Sequence, residues 1–78
     1  MEKAYVLIET QVGKTKDVVE AICGVEGVLS VDAVTGPYDA IAVVQGETLN
    51  EIGDLITAKI HPTDGVSRTV TCLVFKGP

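Results

Sequence analysis

Hydrophobic residues along the chain follow two kinds of pattern, and the first kind predicts four β-strands. Each of these stretches is short, rich in β-branched and other aliphatic residues, and bounded by glycine, proline or polar residues, as is typical of strands. The predicted strands cover residues 4–8, 28–35, 38–44 and 67–75. Gly36-Pro37 separates the second strand from the third and predicts a turn between them.

The second kind of pattern repeats with the period of an α-helix and predicts two helices. In residues 15–23 one side is apolar and the other is charged. Thr48 and Glu51 have the spacing of a capping box, so a second helix is expected to begin there. Pro62 stops this helix near His61. Its predicted apolar side comprises Leu49, Ile52, Leu55, Ile56 and Ile60.

In chain order the predicted elements are β-α-β-β-α-β, and the second half repeats the first. In each half a helix is followed by Gly-Val and then a strand, at Gly27-Val28 and at Gly65-Val66. This order is typical of the ferredoxin-like split βαβ arrangement, in which right-handed crossovers place both helices on one face of the sheet. The sequence therefore predicts an α+β fold, a four-stranded antiparallel sheet with two helices, and a single domain spanning residues 1–78.

Both faces of the predicted sheet are apolar. In the first strand Val6 and Ile8 alternate with Tyr5 and Leu7, and the third and last strands behave in the same way. The helices cover one face only, and an uncovered apolar face of this size is uncommon on a monomer. We therefore expect a two-fold homodimer in which sheet face packs on sheet face.

Composition limits the classes of function. Of the 78 residues 46% are hydrophobic, whereas the net charge is −5 and the six Lys and Arg residues are scattered. This balance argues against direct binding of nucleic acid. No signal peptide is recognisable, and no apolar stretch nears the roughly 18 residues of a membrane span. We expect a cytoplasmic protein with no membrane contact.

The sequence holds no constellation of catalytic or metal-binding residues. Cys23 and Cys72 form no CxxC pair and have apolar neighbours, so we interpret them as buried, reduced thiols. His61 is the one histidine, and its place at a helix end favours a charge effect over catalysis. We expect no metal, no cofactor and no enzymatic activity.

Polar residues beside the turn and in the last strand are the candidates for a binding site. Asp39 follows Tyr38 at the entrance of an apolar strand, where a carboxylate needs hydrogen bonds or a cation. Backbone amides of the turn would satisfy it, and so would a bound ammonium group. Thr69 and Thr71 share one face of the last strand, either as simple strand formers or as hydroxyls lining a small pocket.

Three segments together span essentially the whole chain: YVLIET, GVEGVLSVDAVTGPYDAIAVVQG and GVSRTVTCLVF. In this order and spacing they resemble the effector-binding (RAM) domain of the Lrp/AsnC family of regulators. The most specific feature is Gly-x-Tyr-Asp before an apolar strand, although Pro37 stands where the family usually has a polar residue. Family regulators also carry an N-terminal helix-turn-helix domain. We expect a stand-alone form of the sensor domain, the alternative being a fragment of a longer regulator.

The resemblance implies a function in sensing and assembly. It implies that sheet-on-sheet dimers associate into an octamer or similar ring, that an amino acid or related small molecule binds between dimers, and that full-length Lrp-type regulators are partners. The implied ligand-binding residues are Gly36, Pro37, Tyr38, Asp39, Thr69 and Thr71.

Two other functions stay open at this point. One is a dimeric α/β-barrel enzyme of the monooxygenase type, which usually places a histidine or several aromatic residues in a cleft, and this chain has one histidine and few aromatic residues. The other is a purely structural assembly module that binds no ligand.

Overall fold

The computed structural model describes residues 1–75, so residues 76–78 of the predicted domain lie outside the described part. A four-stranded antiparallel sheet has the strand order β2-β3-β1-β4, which confirms the predicted ferredoxin-like βαββαβ fold. The elements are β1 (Glu2–Thr10), α1 (Thr15–Cys23), β2 (Val28–Ala33), β3 (Ala40–Gly46), α2 (Leu49–Leu55), a π-helical segment (Ile56–Ile60) and β4 (Val66–Leu73).

The turn between β2 and β3 is wider than predicted. Gly36 has a φ of +117°, a conformation that a residue with a side chain rarely adopts. Pro37 has no N–H to contribute to a strand ladder. Pairing therefore stops at Ala33 and resumes at Ala40, so that Tyr38 and Asp39 belong to the turn and not to the third strand as predicted.

The hydrophobic core lies between the two helices and one face of the sheet. Strand residues from alternate positions of β1 and β3 meet the inward sides of both helices, which confirms that both helices cover the same face. The fully buried residues are Ala4, Val6, Ile8, Val18, Ile22, Ala40, Ala42, Val44, Ile52 and Ile60.

The second helix begins where it was predicted to begin, but its buried side is narrower than the predicted apolar side. The Thr48 hydroxyl accepts a hydrogen bond from the Glu51 N–H at 3.1 Å, and the Glu51 carboxylate accepts one from the Glu47 N–H at 3.2 Å. Leu49 is 52% exposed, so its predicted core position is wrong. It is the first residue of α2 and lines a groove beside Leu73 of β4 that a single chain leaves unfilled.

Replacing Thr48 by alanine is expected to lower the free energy of unfolding by about 1 kcal/mol, because the Glu51 N–H loses its cap. Asn50→Ala is the matched control, since Asn50 is exposed in the same turn and alanine favours helix. Urea denaturation of both variants measures the difference. An equal loss in the two would contradict a capping role for Thr48.

The two halves of the chain are joined to each other by equivalent hydrogen bonds. The Gln11 N–H donates to the Gly65 carbonyl at 2.8 Å, and the Gln45 N–H donates to the Gly27 carbonyl at 2.9 Å. Both glycines have positive φ angles, of +98° and +95°. The predicted Gly-Val repeat therefore marks the points where the end of each helical connection meets the opposite half of the fold.

Candidate functional site

Asp39 is the last residue of the β2–β3 turn, and three hydrogen bonds hold it, two to β1 and one to Val34. Its carboxylate Oδ2 accepts from the Thr10 N–H at 2.8 Å. Its N–H donates to the Ile8 carbonyl, and its carbonyl accepts from the Val34 N–H, both at 2.9 Å. The carboxylate is thus bound to the backbone of β1 where a bulge shifts the register against β4, between Glu9 and Thr10.

One oxygen of the Asp39 carboxylate is available for a further contact. Within residues 1–75 the Oδ1 atom receives no hydrogen bond, and the residue is half-buried. An ionised carboxylate can accept several hydrogen bonds. The structure therefore satisfies Asp39 in part, through a backbone amide of β1 instead of the turn, and gives the other oxygen no donor within residues 1–75.

Sequence reasoning missed four residues at the end of the sheet where Asp39 lies, of which Thr10 contacts it directly. The Thr10 hydroxyl lies 2.7 Å from the hydroxyl of Thr15, the first residue of α1. Arg68 Nη1 lies 3.4 Å from Glu9 Oε2, and the two residues are in register on β4 and β1. Only the register of the strands and the bulge bring these groups to this end of the sheet, and neither is visible as a spacing in the sequence.

The other predicted site residues fall into two separate places. Gly36 and Pro37 are exposed at the tip of the β2–β3 turn, and Tyr38 is half-buried beside Asp39. Thr69 and Thr71 lie on β4 and are in register with the buried Ile8 and Val6, so their side chains lie on the helix-covered face.

A single chain does not bring the two places together. Ile8 pairs with Ala40 on one side and with Thr69 on the other, so β1 separates the start of β3 from β4. At the usual strand spacing this puts Thr69 about 10 Å from Ala40, with Thr71 further along the strand. A site that used Asp39 and Thr71 at once would need both from different copies of the chain.

The face of the sheet opposite the helices, which we call the open face, is apolar at its centre as predicted. Its central residues from β1, β3 and β4 are half-buried or exposed, and Tyr5 is 41% exposed. Lys3 Nζ lies 6.0 Å from the Tyr5 ring centroid. The apolar residues of the open face are Tyr5, Leu7, Ile41, Val43, Val70 and Cys72.

Both cysteines are exposed and free, so their predicted burial is wrong. Cys72 is on the open face, in register with Tyr5, where nothing in a single chain covers it. Cys23 is the last residue of α1 and follows the buried Ile22, which takes the inward position. Apolar neighbours in sequence did not indicate which side of each element these thiols occupy.

A broad hollow of about 850 Å³ lies at the opposite end of the sheet, beside the start of β1. Its acidic residues include Glu26, Glu47, Glu51 and Asp54. The Glu51 carboxylate is already bound to the Glu47 N–H as part of the α2 cap. Residues 1–75 contain no group of three or more His, Cys, Asp or Glu side chains arranged to hold a metal ion. No helix in the same range is long and apolar enough to span a membrane.

Comparison with known proteins identifies regulators as relatives. An uncharacterized HTH-type transcriptional regulator of Pyrococcus furiosus, PF0250, is 35% identical over 75 residues, which are 92% of this chain and 50% of that protein. The corresponding figures for PH1916 of Pyrococcus horikoshii are 33% over 60 residues, 77% and 40%. The chain therefore spans half or less of the length of these curated relatives.

Solved structures show the same fold. TTHA0845 from Thermus thermophilus is 37% identical, with a TM-score of 0.93 and coverage of 100% of this chain and 98% of that one. Escherichia coli AsnC is 17% identical with a TM-score of 0.90 over 99% of this chain and 52% of its own, a likeness of fold alone. The family model of the Lrp/AsnC ligand binding domain matches residues 3–78. The chain belongs to the Lrp/AsnC ligand binding domain family, a family of transcriptional regulators.

Proposed function

We propose that this chain is an amino-acid-sensing and oligomerisation domain that binds its ligand between copies of itself. The observation that carries the proposal is the Asp39 carboxylate, which is positioned by the Thr10 N–H through one oxygen and has no donor at the other within residues 1–75. We assign this oxygen as the acceptor for the ammonium group of a free amino acid, and the match to the Lrp/AsnC ligand binding domain supports that choice of ligand class.

The remaining contacts come from two chains. The ligand carboxylate takes hydrogen bonds from the Gly36 backbone and from the hydroxyls of Thr69 and Thr71 on another copy, because one chain keeps Asp39 and Thr71 apart. Tyr38 packs beside the ligand, and Pro37 stiffens the turn and removes one N–H donor. A sensor must release its ligand, so the affinity is micromolar to millimolar, about −4 to −8 kcal/mol.

The open face forms the dimer in this proposal. Its apolar centre packs on the same face of a second copy, and the polar residues at its margin remain in water. Dimers then associate further into an octamer or similar ring, which brings Asp39 of one copy to Thr71 of another.

The relatives support the choice of ligand and partner. The Neisseria meningitidis transcriptional regulator NMB0573 was solved as a complex with L-Met, which makes an amino acid the first class to test. The curated relatives are HTH-type regulators about twice as long as this chain. A full-length regulator of that type is the partner whose assembly this domain modulates.

A thermal-shift screen of the twenty amino acids tests the proposal. We expect one or a few amino acids at millimolar concentration to raise the melting temperature, because the ligand binds the native assembly only. Asp39→Asn is expected to weaken binding at least tenfold, since the amide oxygen can still accept from Thr10 but carries no charge.

Asp54→Asn is the matched control, because Asp54 is an exposed aspartate on α2, away from the open face, and its substitution removes the same charge. We expect it to leave the ligand response unchanged. A protein that responds to no amino acid, and whose assembly is the same with Asp39→Asn, would be a structural assembly module instead.

A further inference from the structure

The two edges of the sheet differ in how well they are protected from pairing with another strand. The β2 edge has a bulge between Val28 and Ser30 and an exposed charge at Asp32, and both features discourage pairing. The β4 edge has a bulge at its start, where the register skips Ser67, but from Arg68 to Leu73 it runs without a bulge or proline and carries one charge, at Arg68, which lies 3.4 Å from Glu9. The β4 edge is therefore the edge that is better able to pair with a strand of another chain.

The outward backbone groups of β4 belong to the residues beside an apolar groove. The Val74 N–H donates to the Lys3 carbonyl, so Val74 is oriented toward β1. Because orientation alternates along an antiparallel strand, Leu73, Thr71 and Thr69 present their N–H and C=O groups outward. The side chains of Thr71 and Leu73 also line a groove between β4 and the second helix.

This groove has room for an apolar side chain. Its volume is about 360 Å³, and its rims are Leu49 and Leu73, each 52% exposed. Its full lining is Leu49, Ile52, Gly53, Ile56, Thr57, Thr71 and Leu73.

Phe75 is a complementary group on the same chain. It is 89% exposed, two residues beyond Leu73, and alternation places it on the side of the sheet that carries the groove. A phenylalanine side chain buries roughly 150–250 Å² when covered. The chain thus has an uncovered aromatic ring and an uncovered apolar groove along one strand edge.

We propose that the occupant of the groove is Phe75 of a second copy, delivered by antiparallel pairing of residues 71–75, at the end of β4, with the same residues of that copy. With a two-fold axis at Leu73, Phe75 of each copy lies opposite Thr71 of the other. Residues that face each other in an antiparallel pair project on the same side, so each ring enters the other copy's groove. The outward backbone groups of Thr71, Leu73 and Phe75 are paired at the same time.

This contact is independent of the open-face dimer, whereas it shares Thr71 with the proposed ligand site, so Phe75 and the ligand use different copies of that residue in one assembly. It uses the edge of the sheet, whereas the proposed dimer uses its face. Together the two contacts would link successive dimers into a larger assembly. A substitution that disrupts one of the two contacts is expected to leave the other in place.

The test combines mass and fluorescence. Phe75→Ala is expected to reduce the mass of the wild-type assembly by half or more in sedimentation equilibrium. Val12→Ala, at an apolar position that is fully exposed in the β1–α1 loop, is the control and should leave the mass unchanged. Because the chain has no tryptophan, Phe75→Trp adds a single fluorescent reporter. Its emission should be blue-shifted in the assembly, where the groove covers the ring, and should shift to longer wavelength when dilution separates the copies.

Three outcomes would overturn the edge contact. One is an unchanged mass for Phe75→Ala and for Leu73→Lys, and another is equal loss of mass for Val12→Ala, which would indicate unspecific association. The third is a tryptophan at position 75 that emits as in water at every concentration, which would leave the groove to a segment of another protein. Failure of the ligand screen with a positive result here would reject amino-acid sensing and keep the edge contact.

Discussion

Val43→Lys is expected to break the proposed face-to-face dimer and so lower the mass of the assembly. Val43 lies on the open face at the centre of the sheet, in register with Tyr5. A lysine there would be buried without a partner in the dimer. Because of the two-fold symmetry, each interface would contain two such lysines. A cost of about 4 kcal/mol lowers the association constant roughly a thousandfold. Sedimentation velocity at micromolar concentration should show the loss.

The control for Val43→Lys makes the same chemical change where no interface is expected. Val12→Lys adds a lysine in the exposed β1–α1 loop and should leave the mass unchanged. Circular dichroism of Val43→Lys should match the wild type, because a single chain leaves this side of the sheet uncovered. A Val43→Lys protein that keeps the wild-type mass would reject the open face as the dimer interface.

The two cysteines allow a second measurement on the same interface. Cys72 and Cys23 are both exposed in a single chain, but only Cys72 lies on the open face. A thiol reagent should therefore label Cys23 quickly and Cys72 slowly in the dimer. In Val43→Lys the labelling of Cys72 should become as fast as that of Cys23. Equal rates for the two thiols in the wild type would mean that the open face is not covered.

The sequence predicted the fold because hydrophobic periodicity and turn residues are local signals. The bounds of α1, the Thr48 cap and the repeated Gly-Val all correspond to short-range interactions, and the structure confirms them. The prediction of two apolar sheet faces also followed from alternation alone. What periodicity could not indicate was how far burial extends along each element, and Leu49 is exposed at a groove beside Leu73 that nothing in a single chain fills.

The candidate site was predictable only in part. Asp39 stood out as a charge beside an apolar strand, yet its partner Thr10 is 29 residues away and is brought there by the antiparallel pairing of β1 with β3. Thr69 and Thr71 share a face as their spacing predicted, but their distance from Asp39 depends on strand order. Local sequence identifies which residue types need partners, whereas register and topology determine which partners they receive.

Gly65→Ala is expected to be the most damaging small substitution in the chain. Gly65 is buried with a φ of +98°, and an added Cβ would lie 2.9 Å from both Lys14 Cβ and Val18 Cγ2. A left-handed conformation costs a residue with a side chain about 1–2 kcal/mol, and overpacking costs about 1–3 kcal/mol more. The free energy of unfolding should therefore fall by about 3 kcal/mol, a large share of the stability of a domain this small.

Two other glycines separate the conformational cost from the packing cost. Gly13→Ala meets nothing within 4 Å at a φ of +79°, so it should cost about 1 kcal/mol from conformation alone. Gly27 is the counterpart of Gly65 in the other half, but its nearest neighbour is the Leu55 Cδ2 atom at 3.0 Å, the end of a side chain that can rotate away. Denaturation midpoints should thus fall least for Gly13→Ala, more for Gly27→Ala and most for Gly65→Ala. If Gly65→Ala and Gly13→Ala lost the same stability, the close approach of Gly65 to Lys14 and Val18 would contribute nothing to the loss. Backbone conformation alone would then explain the repeated glycine.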